Sequence, residues 1–129
     1  MSTDEQEAVN AKQQDLINQA TDIAEWWAKT AMADAERTVP KAVEYGSVDM
    51  DFMGQFMVAL VKDKFVGADD AELMRVGREM ATTFYLVGKI GRMIGAFQQG
   101  MLPSDDTYFD TSVYAMMLRR IRETGGWIQ

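Results

Sequence analysis

A chain of 129 residues with 20 acidic and 13 basic side chains has a formal charge of −7, which excludes the broad basic surface that non-specific binding to nucleic acid or an anionic membrane requires. Without cysteine there is no disulfide framework or thiolate metal site, and without histidine no imidazole base, Ser-His triad or His-ligated zinc. Any catalysis must rest on carboxylates, lysine, tyrosine, hydroxyls or a hard metal ion. The length predicts one all-α domain over residues 1–129, a bundle of about four helices with residues 1–6 frayed, completed by pairing into a homodimer or higher homo-oligomer.

The opening MSTDEQEAVNAKQQD is polar and acidic, unlike a secretory leader, and predicts a cytoplasmic chain. From about Asp4 to Arg37 no proline or glycine intervenes, and Leu16, Ala20, Ile23, Trp27 and Ala31 recur at helical spacing, so this is a long amphipathic helix. Trp26 and Trp27 cannot share one stripe; one is expected in the core and the other on a neighbouring helix or subunit. Pro40 restricts Val39 and predicts a break there, followed by KAVEYGS as a short turn-bearing segment.

Ser47 is the expected N-cap of a second helix, VDMDFMGQFMVALVKDKF, with Asp49 and Asp51 at its dipole-favoured start. Met50, Met53, Phe56, Met57, Leu60 and Val61 form its expected apolar face. Gly67 ends it. Asp69 with Glu72 resembles a capping box and opens a third helix over about 70–99.

The second half of that helix, MATTFYLVGKIGRMIGAF from Met80 to Phe97, is apolar nearly all round and is expected to lie centrally in the bundle. Lys89, Arg92 and three glycines oppose membrane insertion, each central cation by about 2.5–3.5 kcal/mol. Gly88, Gly91 and Gly95 share a face, which predicts close helix packing or room for a ligand. After Gly100, Pro103 and Ser104 a fourth helix is expected over 105–124, with Asp106, Asp110 and Tyr114 on one side, Arg119, Arg120 and Arg122 in its last turns, Gly125-Gly126 as the stop and Trp127 as an anchor folding back.

Three groups can carry chemistry: Lys41 with Tyr45-Gly46, Lys89 with Arg92, and Asp106 with Asp110. A hairpin of the last two helices sets Arg92 level with about residue 110, making Asp110 its expected salt-bridge partner, and this ion pair stands beside a ligand site as the reading of the cluster.

In order, KAVEYG, LVGKIGR and DDTYFDTSVYAMM resemble the all-α nucleoside-triphosphate pyrophosphohydrolases of the MazG type, especially phage-encoded, nucleotide-modification-associated members. The resemblance covers about Val39 to Met117. In competent members it implies a Glu-Glu-x-x-Glu helix and a Glu-x-x-Asp pair that hold magnesium. Here Lys89 and Arg92 stand in place of the acidic cluster, and Thr107 stands at the second glutamate; only Asp110 matches, with Asp106 one residue off.

The resemblance therefore implies a metal-poor relative, with no cofactor, that binds a nucleotide or another phosphate-bearing ligand. Lys89 and Arg92 would neutralise phosphate, Tyr45 or Tyr114 would stack on a base, and Lys41, Asp106 and Asp110 would complete the site. The alternative is a non-enzymatic helical protein that binds or inhibits a host protein through acidic or Met-rich surface. A third reading is an active dNTP pyrophosphohydrolase with a magnesium cage of Glu72, Glu79, Asp106 and Asp110.

Overall fold

The computed structural model describes residues 2–128, and the side chains of Tyr45 and Val48 lie outside that description. Among the described residues the chain is all-α, with no strand: α1 (Thr3–Tyr45), α2 (Val48–Val61), a 3₁₀ turn (Lys62–Lys64), α3 (Asp70–Gln98) and α4 (Asp105–Thr124). The chain divides into two compact units, residues 1–37 and 38–129.

The first unit is the long amphipathic helix. Its start is capped where fraying is expected: Glu5 N–H donates to Ser2 Oγ at 3.1 Å and Ser2 N–H donates to Glu5 Oε2 at 3.1 Å. That reciprocal pair satisfies two of the donors every helix start leaves open. Taken by itself this helix leaves its apolar stripe open, with Leu16 54% exposed, Ile23 58%, Trp26 65% and Trp27 68%. Within this unit neither tryptophan of the pair is buried.

In the second unit α1 continues through Pro40, so the expected break is corrected. A proline inside a helix removes one bond to the preceding turn at a cost of about 3 kcal/mol, but it does not forbid the turns that follow. Termination falls instead to Gly46, whose φ of +67° is the left-handed conformation glycine adopts without steric penalty, and whose N–H donates to Ala42 O at 2.8 Å.

The core is small: Ala42, Met50, Ala81, Thr82 and Ile121 are buried. Thr82 donates its hydroxyl to Arg78 O at 2.8 Å, so its burial leaves no open donor. α3 packs on both α2 and α4. The α2 crossing is made by Gly54 against Gly77; a Cβ on Gly77 would overlap Gly54 O and stand 2.8 Å from Val58 Cγ2. The expected Met-rich face of α2 is only partly inward, with Met50 6% exposed but Phe56 55% and Leu60 69%. The reason is that close approach happens at Gly54, and this glycine, not the bulky stripe, turns toward α3.

α3 starts as expected, with Asp69 Oδ1 accepting from Glu72 N–H at 2.8 Å. Its second half does not lie in a core. At 1.5 Å per residue, the 14 residues of α2 reach about 21 Å along the roughly 43 Å of the 29-residue α3, so only the first half is covered on that side. Phe84, Val87 and Phe97 are each 56% exposed, Ile94 53% and Ile90 42%. A Cβ on Gly88, Gly91 or Gly95 would meet nothing within 4 Å, so the close packing expected of this trio within the chain is corrected. No helix among the described residues is long and apolar enough to cross a membrane.

Candidate functional site

α3 and α4 run antiparallel, and their facing side chains form a ladder. Tyr85 stacks on Tyr114 with ring centroids 5.9 Å apart and planes 11° from parallel. One turn further along α3, Lys89 Nζ lies 3.0 Å from Asp110 Oδ2. The matching spacings follow from helical geometry: Tyr85 lies four residues before Lys89, and Tyr114 four after Asp110. The expected Arg92–Asp110 pair is therefore corrected to Lys89–Asp110. The antiparallel register sits three residues from the estimate, because α3 stops at Gln98 and a loop separates it from Ser104.

The Lys89 side chain is only 17% exposed, so its charge is held against Asp110, itself 40% exposed, and not offered freely to solvent. Arg92 stands exposed on the next turn. Asp106 is exposed one turn before Asp110, and Lys41 is exposed on α1. The Tyr45 side chain lies outside the described residues. Of the predicted site residues, the structure thus joins Lys89 to Asp110 and sets Tyr114 one turn from them.

At the end of the ladder lies an open groove of about 390 Å³, lined by Gly46, Ser47, Asp49, Met50, Thr82, Tyr85, Tyr114 and Met117. Its size falls within the range of small-molecule clefts. It offers two aromatic rings, two methionines and the carboxylate of Asp49. It holds no lysine or arginine. The tyrosine pair could have been found in the sequence by extending the Lys89–Asp110 pairing one turn in each helix.

The rim of the groove is tied to the C-terminal strap. Ser47 stands at the N-cap position of α2 as expected, but its hydroxyl makes no capping bond; it donates to Ile128 O at 2.7 Å and accepts from Ile128 N–H at 3.0 Å. Two bonds to the strap outweigh the single bond a capping side chain would make. Arg78 Nε donates to Asp51 Oδ1 at 2.7 Å and its Nη1 donates to Gly125 O at 3.0 Å. Arg120 Nε donates to Trp127 O at 2.9 Å. The strap turns back at Gly125, with φ of +92° and its N–H on Ile121 O at 2.8 Å. Trp127 thus folds back as expected, half-buried.

Beside the strap, Arg122 grips Glu79 with two parallel bonds of 2.7 Å. The donated guanidinium hydrogens hold the Glu79 carboxyl below its ordinary range, against the opposing effect of burial, and the charges of Arg122 and Arg75 lower it further. Arg122 is correspondingly raised by the same bonds and by the Glu79 charge. These pairings bear on the magnesium cage expected of Glu72, Glu79, Asp106 and Asp110. Glu79 is occupied by Arg122 and Asp110 by Lys89, and the two carboxylates lie about 15 Å apart along the helices. Among the described residues no group of three or more acidic side chains converges to hold a metal ion.

Comparison with protein-family models, with curated proteins and with solved structures finds no match.

Proposed function

We propose that this chain is a non-enzymatic helical interaction protein that engages another protein through its N-terminal helix. The observation that supports this reading is the uncovered apolar stripe of residues 1–37, with Leu16, Ile23 and Trp27 all more than half exposed. Helices in proteins draw most of their stability from packing that stripe, and covering each such side chain contributes roughly 1.5–3 kcal/mol. Residues 1–37 carry eight carboxylates and three cations, so the complementary surface is an apolar groove with a basic rim. Capture from cell extract with the full chain and with the double variant Trp26→Glu/Trp27→Glu tests the reading. A specific protein should be retained by the first and lost by the second at equal helix content. Identical captures would sink it.

The tyrosine groove supports a second reading, a MazG-like domain that binds a nucleotide-like ligand without hydrolysing it. A base would stack on the outer face of the Tyr85–Tyr114 pair, with the exposed Arg92 two turns beyond toward the phosphates and Lys89 beside it, paired with Asp110. Titration with nucleoside mono- and triphosphates, with and without magnesium, reads this directly. Saturable binding that Tyr114→Ala abolishes favours it, and no binding of any of them removes it.

A further inference from the structure

We infer that the second half of α3 packs against the same segment of a second copy of this chain, the two helices crossing near Gly91. Phe84, Val87, Gly91 and Ile94 fall at i, i+3, i+7 and i+10, the repeat of a helix-pairing seam. α2 ends short of this region, and α4 occupies the side that bears Lys89. The seam is left bare: Phe84 and Val87 are each 56% exposed and Ile94 53%.

The area matches what a dimer needs. Five bare apolar side chains, Phe84, Val87, Ile90, Ile94 and Phe97, leave roughly 100 Å² apiece, or about 500 Å² per copy. A standard interface covers about 800 Å² per partner, of which somewhat over half is apolar.

Charge selects a second copy as the occupant. The whole chain carries −7, which opposes self-association, but no acidic residue occurs between Glu79 and Asp105. Lys89 is neutralised by Asp110 within the chain, and the exposed Arg92 lies about 100° round the helix from Gly91, off the seam. The segment from Ala81 to Gln99 can therefore meet its own copy without bringing carboxylates face to face, whereas a steered heterologous partner would call for a charged rim. Gly91 at the crossing, with open space where its Cβ would stand, lets the two backbones approach. This contact is separate from the docking proposed for the N-terminal helix, and the two are tested by different variants.

The test is sedimentation equilibrium of the full chain with Ile94→Glu and Val87→Lys as separate variants. Both positions are more than half exposed, so neither substitution disturbs the core. The wild type should sediment at twice the 14.5 kDa chain mass and both variants at once that mass, with helix content unchanged. Because the chain has no cysteine, Gly91→Cys gives a single thiol; under mild oxidation it should form covalent dimer much faster than Val66→Cys, placed on the 92% exposed loop residue. A monomeric wild type, a dimer indifferent to both charged variants, or equal cross-linking at the two cysteines would overturn the inference. A dimer lost only in Trp26→Glu/Trp27→Glu would do so as well, by moving the contact to the N-terminal helix.

Discussion

Gly77→Ala is expected to destabilise the second unit even though alanine is the better helix former. The added Cβ would overlap the carbonyl oxygen of Gly54 and stand 2.8 Å from Val58 Cγ2. The valine methyl can rotate away. The Gly54 carbonyl cannot, because it belongs to the backbone of α2, so the two helices must separate. Overpacking of this kind costs about 1–3 kcal/mol, and the upper part applies where the obstacle is backbone. The propensity gain returns about 1 kcal/mol, for a net loss of about 1–2 kcal/mol. Gly95→Ala, measured in the Ile94→Glu background that keeps the chain monomeric, supplies the control: it lies on the same helix with nothing within 4 Å of its Cβ, and should gain about 0.5–1 kcal/mol. Urea unfolding followed by Trp127 fluorescence in a Trp26→Phe/Trp27→Phe background confines the signal to residues 38–129, so two units that unfold separately do not blur it. A Gly77→Ala protein as stable as the wild type would refute the close α2–α3 crossing.

Three further outcomes follow from the polar contacts. Glu79 has its carboxyl lowered from the ordinary value of 4.5, so its contribution is fully present above that pH and is lost as the pH falls through the lower folded value; the stability gap between wild type and Glu79→Gln should be constant near neutrality and close below pH 4.5. A gap that persists unchanged into strong acid would contradict the pairing with Arg122. Ser47→Ala removes both bonds to Ile128 and should cost about 1 kcal/mol, with faster hydrogen exchange over residues 125–128 and red-shifted Trp127 emission; unchanged exchange would mean the strap is held without Ser47. A double-mutant cycle of Lys89→Ala and Asp110→Ala should return a coupling of about 0.5–1 kcal/mol, whereas the same cycle with Arg92 in place of Lys89 should return none.

Local chemistry along the chain is enough to specify the helices. Asp69 and Ser104 cap α3 and α4 as their local chemistry requires, each accepting an N–H three residues on, and Gly125 stops α4 in the left-handed conformation. These are short-range effects, and short-range pattern is enough to read them. Where local signals competed, long-range contacts settled the outcome. Pro40 marked a boundary that Gly46 supplied instead, and Ser47 gave its hydroxyl to Ile128, a residue 81 positions away that no local rule can anticipate. The candidate site shows the same division. Lys89, Asp110 and Tyr114 are legible as functional side chains on two helices, but whether Lys89 or Arg92 meets Asp110 depends on an antiparallel register that a few loop residues shift by almost a turn. The apolar stretch from Met80 to Phe97 reads as core on composition alone. Only the relative lengths of α2 and α3 decide that it lies bare, because burial depends on what lies alongside a helix as well as on the residues within it.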